Sequence, residues 1–444
     1  MKRILLFLAL SIHFFAQAEI SIHMPSLELD IPTNTKVLWE REVKFSKQEI
    51  PLIEDVNLMI SQQKYQDMWV YLQEKQIAEP SAAWLHLRAQ AALMLEKNNA
   101  AENLLKQALK LAPHFVRAHQ TLALICLRQE HYAQAQKHLI TAIEQGANQA
   151  RTYGLLGYLY QKQAQHAQAI SAYQQAYMLE PTQDKWAKGL LQSYLAISAY
   201  DQALALLPPL LEAHPNDVHL WKTKSFLSLK MNKPEQALAS LNIAYQLQPQ
   251  QEIAWQLAQL YFQQSYYQQA TQYFLLSAKN TLPHFKRYMQ TVSYLIEVRQ
   301  HKHAQSMLQI AIKKQQQLSV LEQAELTYLR GKYAYSKKKV SQARQFFKQA
   351  LHLSPLHAES MYDLAKIYID QKKYNQADTL LIRAEHIPRM MIHALSQRVY
   401  LAMLQHQYPK ALDLLKKWEK KDPDNKNIKL RIQNIQRIEY NRTA

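Results

Sequence analysis

The sequence predicts an all-α solenoid of stacked helix pairs, and three observations carry that prediction. The chain of 444 residues holds only five glycines, far below the typical share of ~7%, which argues strongly against a fold built from tight hairpins or phosphate-cradling loops. Prolines recur with a fixed period, Pro181, Pro215, Pro249 and Pro283 standing 34 residues apart. Alanines keep the same period in two columns seven residues apart, one through Ala101, Ala135, Ala169, Ala203 and Ala237, the other through Ala108, Ala142 and Ala176. A fixed period of this length is the mark of a repeat array.

The segments before the array read differently. Lys2 and Arg3 precede an apolar run over residues 4–15, followed by Ala16-Gln17-Ala18. That is the order of a secretory signal with a small-x-small cleavage site, so residues 1–18 are expected to be removed after Ala18. The run is too short for a bilayer span, which needs about 20 apolar residues. The expected compartment is therefore an export compartment, most simply a bacterial periplasm. Residues 19–49 contain alternating stretches such as Leu27-Glu28-Leu29-Asp30-Ile31, which read as an extended N-terminal arm.

Residues 50–312 form the first sub-array, opening with a degenerate helix pair that uses Leu52, Val56, Met59, Tyr65, Trp69 and Leu72. Pro283 and Pro355 stand 72 residues apart, four more than two periods. The excess is placed at the polar stretch Lys313-Lys314-Gln315-Gln316-Gln317, giving an irregular junction over 313–323 and a second sub-array over 324–423. The last stretch, 424–444, carries Ile428, Ile432, Ile435 and Ile438, the pattern of a capping helix over the final exposed apolar face.

The clearest repeat reads Tyr153-x-x-Leu156-Gly157-x-x-Tyr160, then Ala169-x-x-x-Tyr173-x-x-Ala176, then Pro181. Small residues sit where two amphipathic helices touch and large ones fill the space beside them. Proline then ends the second helix, because it lacks the N–H and clashes with the preceding turn. This pattern resembles the tetratricopeptide repeat (TPR) over about residues 50–423, with departures at Ala147, Leu210 and Trp418. The resemblance implies a right-handed superhelical solenoid of about ten to eleven TPR-like helix pairs.

Little in the sequence suggests catalysis. A single cysteine, Cys126, excludes an internal disulfide and any cysteine-based metal cluster, and it occupies the register of Tyr160 and Tyr194, a packing position. His301 and His303 point about 200° apart on a helix, so they cannot share a metal. No cofactor, metal site or catalytic residue is expected, and the protein is read as a non-enzyme.

The same resemblance implies that the first helix of each pair lines a concave groove, with residues four, seven and eleven after each closing position pointing into it. Four after gives Arg117, Arg151, Lys185 and His219; seven after gives Lys188 and Lys222; eleven after gives Tyr158 and Phe226. Trp255, Tyr328, Lys332, Tyr362, Lys366 and Tyr400 are assigned corresponding places further on. A column of like charge is unfavourable unless something anionic answers it. Related arrays grip a terminal carboxylate with Lys, Arg and Asn; asparagine is missing from these places here, so a strict carboxylate clamp is not expected.

Net charge is +18, from 53 Lys and Arg against 35 Asp and Glu, and residues 284–444 hold 29 of the bases but only 13 of the acids. Such an asymmetry is a partner signal. In an export compartment nucleic acid is an improbable target. The expected role is a non-catalytic periplasmic scaffold or adaptor holding another envelope protein, or an acidic segment of one, during assembly or export of a surface structure. The alternative is binding of an anionic polymer such as an exopolysaccharide, or of lipid headgroups at a membrane surface, by the basic C-terminal half.

Overall fold

The computed structural model describes residues 43–443, apart from 76, 283 and 424. The expected signal segment and all but the last residues of the expected extended arm lie outside the described residues. Every regular element among the described residues is a helix, and the chain divides into two compact units, one ending at Ala244 and the other beginning at Tyr245.

The first unit stacks helix pairs in chain order: Ile50–Ser61 with Tyr65–Glu74, Ala82–Met94 with Asn98–Leu111, Val116–Arg128 with Tyr132–Glu144, and Ala150–Lys162 with His166–Leu179. Asp184–Ala196 follows with a partner broken into Tyr200–Ala205 and Leu207–Ala213, and Val218–Lys230 precedes Pro234–Leu247, the helix in which the unit ends. The break has a chemical cause. Pro208 and Pro209 have no N–H to offer Leu204 and Ala205, so the helix cannot continue through them.

Within each pair the two helices are joined by a tight turn with one residue in the left-handed region. Glu96, Glu130, Ala164, Ser198 and Asn232 take φ between 57° and 60° and recur every 34 residues. In the pair around Ala164, the Gln165 N–H reaches back to the Tyr160 carbonyl at 2.8 Å and the Ala164 N–H to that of Gln161 at 3.0 Å. These bonds satisfy carbonyls that a helix end otherwise leaves open.

The core lies between helices at the small-residue columns. Ala101, Ala135, Ala169, Ala203 and Ala237 are fully buried, as are Ala108, Ala142 and Ala176. Tyr173 is buried beside Gly157 and Gly189, whereas Tyr160 and Tyr194 are half-buried. Cys126 is buried in the cluster of Leu127, Leu139 and Leu155, and burial raises its thiol pKa.

The second unit holds Gln251–Gln263 with Tyr267–Ser277, Phe285–Glu297 with His301–Lys313, Val320–Ser336 with Val340–Leu353, Ala358–Asp370 with Tyr374–Glu385, and Met391–Leu404 with Tyr408–Glu419; Lys426–Thr443 ends it. Ile428 and Ile435 of that last helix are buried against Leu415 and Trp418, with Ile432 packed beside them. Within the expected junction 313–323, residues 314–319 lie outside α-helix and residues 320–323 are helical. Gln315–Gln317 makes one short 3-10 turn, and the helix after it runs 17 residues against 13 for Ala358–Asp370. Ser319 caps this longer helix reciprocally with Glu322, fixing its start one turn early. Leu318 packs on a core that includes Leu308 and Ala311 before the segment and Leu326 and Leu329 after it. The division between compact units falls at Ala244–Tyr245.

Candidate functional site

The groove positions of the first unit sit on the first helix of each pair. Arg117 lies on Val116–Arg128, Arg151 and Tyr158 on Ala150–Lys162, Lys185 and Lys188 on Asp184–Ala196, and His219, Lys222 and Phe226 on Val218–Lys230. First helices of consecutive pairs touch, Ala82–Met94 with Val116–Arg128 and Ala150–Lys162 with Asp184–Ala196. That contact places Arg151 and Lys185, 34 residues apart, on neighbouring helices.

Accessibility varies along the column. Arg117 and Arg151 are half-buried, while Lys185 and His219 are exposed. The Lys185 ammonium lies 4.5 Å from the centroid of the Trp186 ring, a cation–π contact. Trp186 itself is buried over Gly154, where a Cβ would come within 1.9 Å of the ring. Glycine at the groove position of the fourth pair thus makes room for an indole that carries the next pair's cation. Lys188 stands 3.7 Å from the Asp217 carboxylate, which also accepts the backbone N–H groups of His219 and Leu220 as a helix cap. Tyr158 is half-buried with the Lys162 ammonium 5.4 Å from its centroid. Phe226 meets Tyr200 edge to face at 6.1 Å, with Lys230 5.4 Å from its ring.

In the second unit the expected positions fare less evenly. Trp255 is not on an accessible face: it is 1% exposed, packed against Phe274 and His284. The reason is register, since Trp255 lies six residues past Pro249, as Tyr153 lies six past Ala147, a place between helices. Tyr328 is buried as well, its ring tilted against those of Phe347 and His357, and its hydroxyl donates to Asp363 at 3.0 Å. Burial, followed by the Asp363 carboxylate, pushes the phenol well above its ordinary range. Lys332 donates to Glu297 and to Ser293, each at 2.7 Å. Lys366 is 3.5 Å from Asp363 and 5.5 Å from the centroid of the half-buried Tyr362 ring. Tyr400 alone of this set is exposed, on Met391–Leu404.

A second polar centre escaped the register argument. Arg398, its side chain 12% exposed, bonds the Asp378 carboxylate at 2.9 Å and the Glu385 carboxylate at 2.5 Å. Lys410 reaches Asp378 at 2.7 Å, and Lys417 reaches Glu385. Burial is the largest influence on both carboxyls and pushes them upward. Their bonds to the lysines and to Arg398 together outweigh it, so both stay below the ordinary carboxylate range. The signal was present in the spacing, because Asp378 to Lys410 and Glu385 to Lys417 are the same 32 residues. Lys417 is therefore an ion-pair partner of Glu385.

Buried His86 and His119 and half-buried His138 lie in the first unit. His86 meets Thr121 at 3.0 Å, and burial, with the Arg117 charge next, lowers its pKa to about 3. His119 and His138 approach through their Nδ1 atoms at 3.0 Å. Among the described residues no set of three His, Cys, Asp or Glu side chains could hold a metal ion, and no helix is long and apolar enough to cross a membrane.

Two family models of the tetratricopeptide repeat match this chain, one over residues 92–157, 160–225 and 334–389, the other over residues 291–358. The chain belongs to the TPR family. No curated protein matches it in sequence. Solved TPR structures resemble parts of it. YrrB, described as a TPR protein with an unusual peptide-binding site, is 18% identical over 39% of this chain and 89% of its own, with a TM-score of 0.37. A TPR protein from Parabacteroides merdae is 16% identical over 62% of this chain and 93% of its own, TM-score 0.37. PilF of Pseudomonas aeruginosa is 18% identical over 56% of this chain and 97% of its own, TM-score 0.32. TPR arrays in general bind protein or peptide partners as scaffolds and are typically non-catalytic.

Proposed function

We propose that this TPR chain is a non-catalytic periplasmic scaffold that holds an acidic segment of another envelope protein on the first unit's basic face. The observation that supports this reading is the series Arg117, Arg151 and Lys185, three cations repeated every 34 residues on the first helices of three consecutive pairs. A carboxylate-bearing chain laid along these helices would meet a cation at each period, which gives charge complementarity and register. Aromatic groups nearby, Tyr158 and Phe226, add apolar contact area for the residues between the acids.

The competing reading, an anionic polymer held by the basic C-terminal half, rests on the charge excess after residue 284. It is weakened by internal pairing: Lys332, Lys366, Arg389, Arg398, Lys410 and Lys417 each face a carboxylate of the same chain. Titrating a synthetic peptide of alternating leucine and aspartate, and separately a polyuronate chain, at rising salt separates the two. A groove-bound peptide depends on a few anchors and keeps part of its affinity, whereas polymer binding falls steeply with salt. Tight polyuronate binding with no peptide binding would transfer the proposal to the second unit.

The export part of the proposal has its own check. N-terminal sequencing of the mature protein is expected to begin at Glu19, after the small-x-small site. Protein recovered from cytosol with Met1 intact would remove the periplasmic reading.

A further inference from the structure

The second unit carries an unbalanced charge at one end of its helix pairs. Within each pair a turn with one left-handed residue joins the two helices, and because every pair folds back on itself these turns lie at the same end of the unit. In the second unit the turns centre on Ser265, Arg299, Lys338, Lys372 and His406. The left-handed residue and its two neighbours supply Arg299, Lys337, Lys338, Lys339, Lys372 and Lys373 there, and no carboxylate. The equivalent turns of the first unit hold Lys64, Lys97 and Lys233 against Glu96 and Glu130. One structural position is thus close to neutral in the first unit and strongly basic in the second.

The basic turns are neighbours in space. His301 meets the ring of Tyr333 at 6.0 Å, and burial, then the charges of Lys337 and Arg299, lowers its pKa. One pair further on, Arg344 donates to Gln371 at 3.3 Å. All six cations are exposed. Among the described residues none of them is paired with a carboxylate, whereas Lys332 and Lys366 on the first helices face Glu297 and Asp363. Asp370, two residues before Lys372, offsets one of the six. The helices that begin at these turns, His301–Lys313, Val340–Leu353 and Tyr374–Glu385, have no acidic residue in the first turn and no side-chain cap. The partial positive charge of each N-terminus therefore adds to that of the lysines. Val298 and Val340 flank the cations, each 37% exposed.

We propose that this turn edge of the second unit is a docking surface for an anionic phospholipid bilayer. A protein partner would call for a packed anchor among the charges. Here the edge offers lysines on flexible stems, spread over three successive turns, with two small apolar groups between them. That chemistry suits a fluid layer of phosphates, where each cation finds its own headgroup and the valines reach the acyl boundary. The inference goes beyond the groove proposal and does not rest on it, since none of these residues belongs to the first unit.

The test uses the full chain and extruded vesicles of phosphatidylcholine, alone or mixed with an equal part of phosphatidylglycerol, read by co-sedimentation. The chain is expected to bind the mixed vesicles, not the neutral ones, and to be released as added salt shortens the screening length. The variant K337Q/K338Q/K339Q should lower the partition coefficient about a hundredfold, since each cation near an anionic leaflet contributes on the order of fivefold. Gln63 holds the same left-handed place in the first pair, so glutamine fits the turn. Circular dichroism checks that helicity is kept; should it fall, the double variant K337Q/K339Q, outside the left-handed position, takes its place. The variant K416Q/K420Q/K421Q removes the same charge from the far end of the last 12-residue helix. That end is about 18 Å away, more than a screening length at ~0.1 M salt, so partitioning should stay near that of the parent. Equal loss in both variants would show that net charge alone acts and would overturn the assignment of this edge. So would equal binding to both kinds of vesicle, or binding to neither. Loss of the alternating leucine–aspartate peptide or of polyuronate in K337Q/K338Q/K339Q, with vesicle binding intact, would likewise overturn it by assigning the edge to a protein or a polymer.

Discussion

Gly189 lies so close to Tyr173 that a Cβ placed on it would come within 2.5 Å of the phenol ring. Gly157 meets the same ring with an equivalent approach of 2.9 Å. One aromatic side chain thus joins its own helix pair to the next, and the two glycines set how closely the pairs can stack. Gly189→Ala is expected to destabilise the first unit by about 1–2 kcal/mol. Overpacking costs about 1–3 kcal/mol and exceeds the roughly 1 kcal/mol that alanine gains in helix propensity. Urea titration followed by circular dichroism reads the change; a variant as stable as the parent would mean the ring has room to move.

Ala164 offers the opposite case. It sits at φ 57° in the turn between Ala150–Lys162 and His166–Leu179, with its side chain in solvent. A non-glycine residue pays a backbone penalty there that glycine does not. Ala164→Gly is expected to stabilise the unit by about 0.5–1 kcal/mol, the relief of strain exceeding the added freedom of the unfolded chain. A lowered urea midpoint would contradict this account of the turn.

The ion cluster of Asp378, Glu385, Arg398, Lys410 and Lys417 makes the second unit sensitive to acid. Both carboxyls are held below their ordinary range in the folded state. Their contribution is therefore fully present above the ordinary carboxylate pKa of about 4 and is lost as pH falls through the folded values below it. Glu385→Gln should flatten that acid limb while costing stability at neutral pH, since Arg398 and Lys417 lose a charged partner; Glu385→Ala should cost on the order of 3 kcal/mol. Urea midpoints between pH 7 and pH 2 for the parent and Glu385→Gln decide it. Parallel curves would show that the cluster does not govern acid stability.

Much of the fold was legible because a repeat states each packing rule many times over. The alanine columns named core positions that are fully buried, Ala169 and Ala176 among them. The limits came where a local event broke the register. An allowance for slips in the period put Trp255 on the groove face, but it lies six residues past Pro249, two beyond the place four after it, and packs between helices against Phe274. Tyr328 held the right register, yet its phenol reaches Asp363 one period on and is covered there. The four surplus residues before Pro355 read as a junction because polarity alone marks a loop; the Ser319–Glu322 capping box converts them to an extra helical turn.

The claim at the centre of this account is that Arg117, Arg151 and Lys185 together form the recognition face for an acidic segment. It is tested most directly by replacing all three with alanine and measuring peptide binding and folding on the same preparation. Helicity should be retained; loss of the exposed Lys185 should shift stability by no more than about 0.5 kcal/mol, and the urea midpoint reports what the half-buried Arg117 and Arg151 add to packing. Affinity for the alternating leucine–aspartate peptide should fall by about tenfold or more, as expected when charged anchors are removed from an interface. Unchanged affinity in a fully folded triple variant would contradict the account and leave the column as solvated surface.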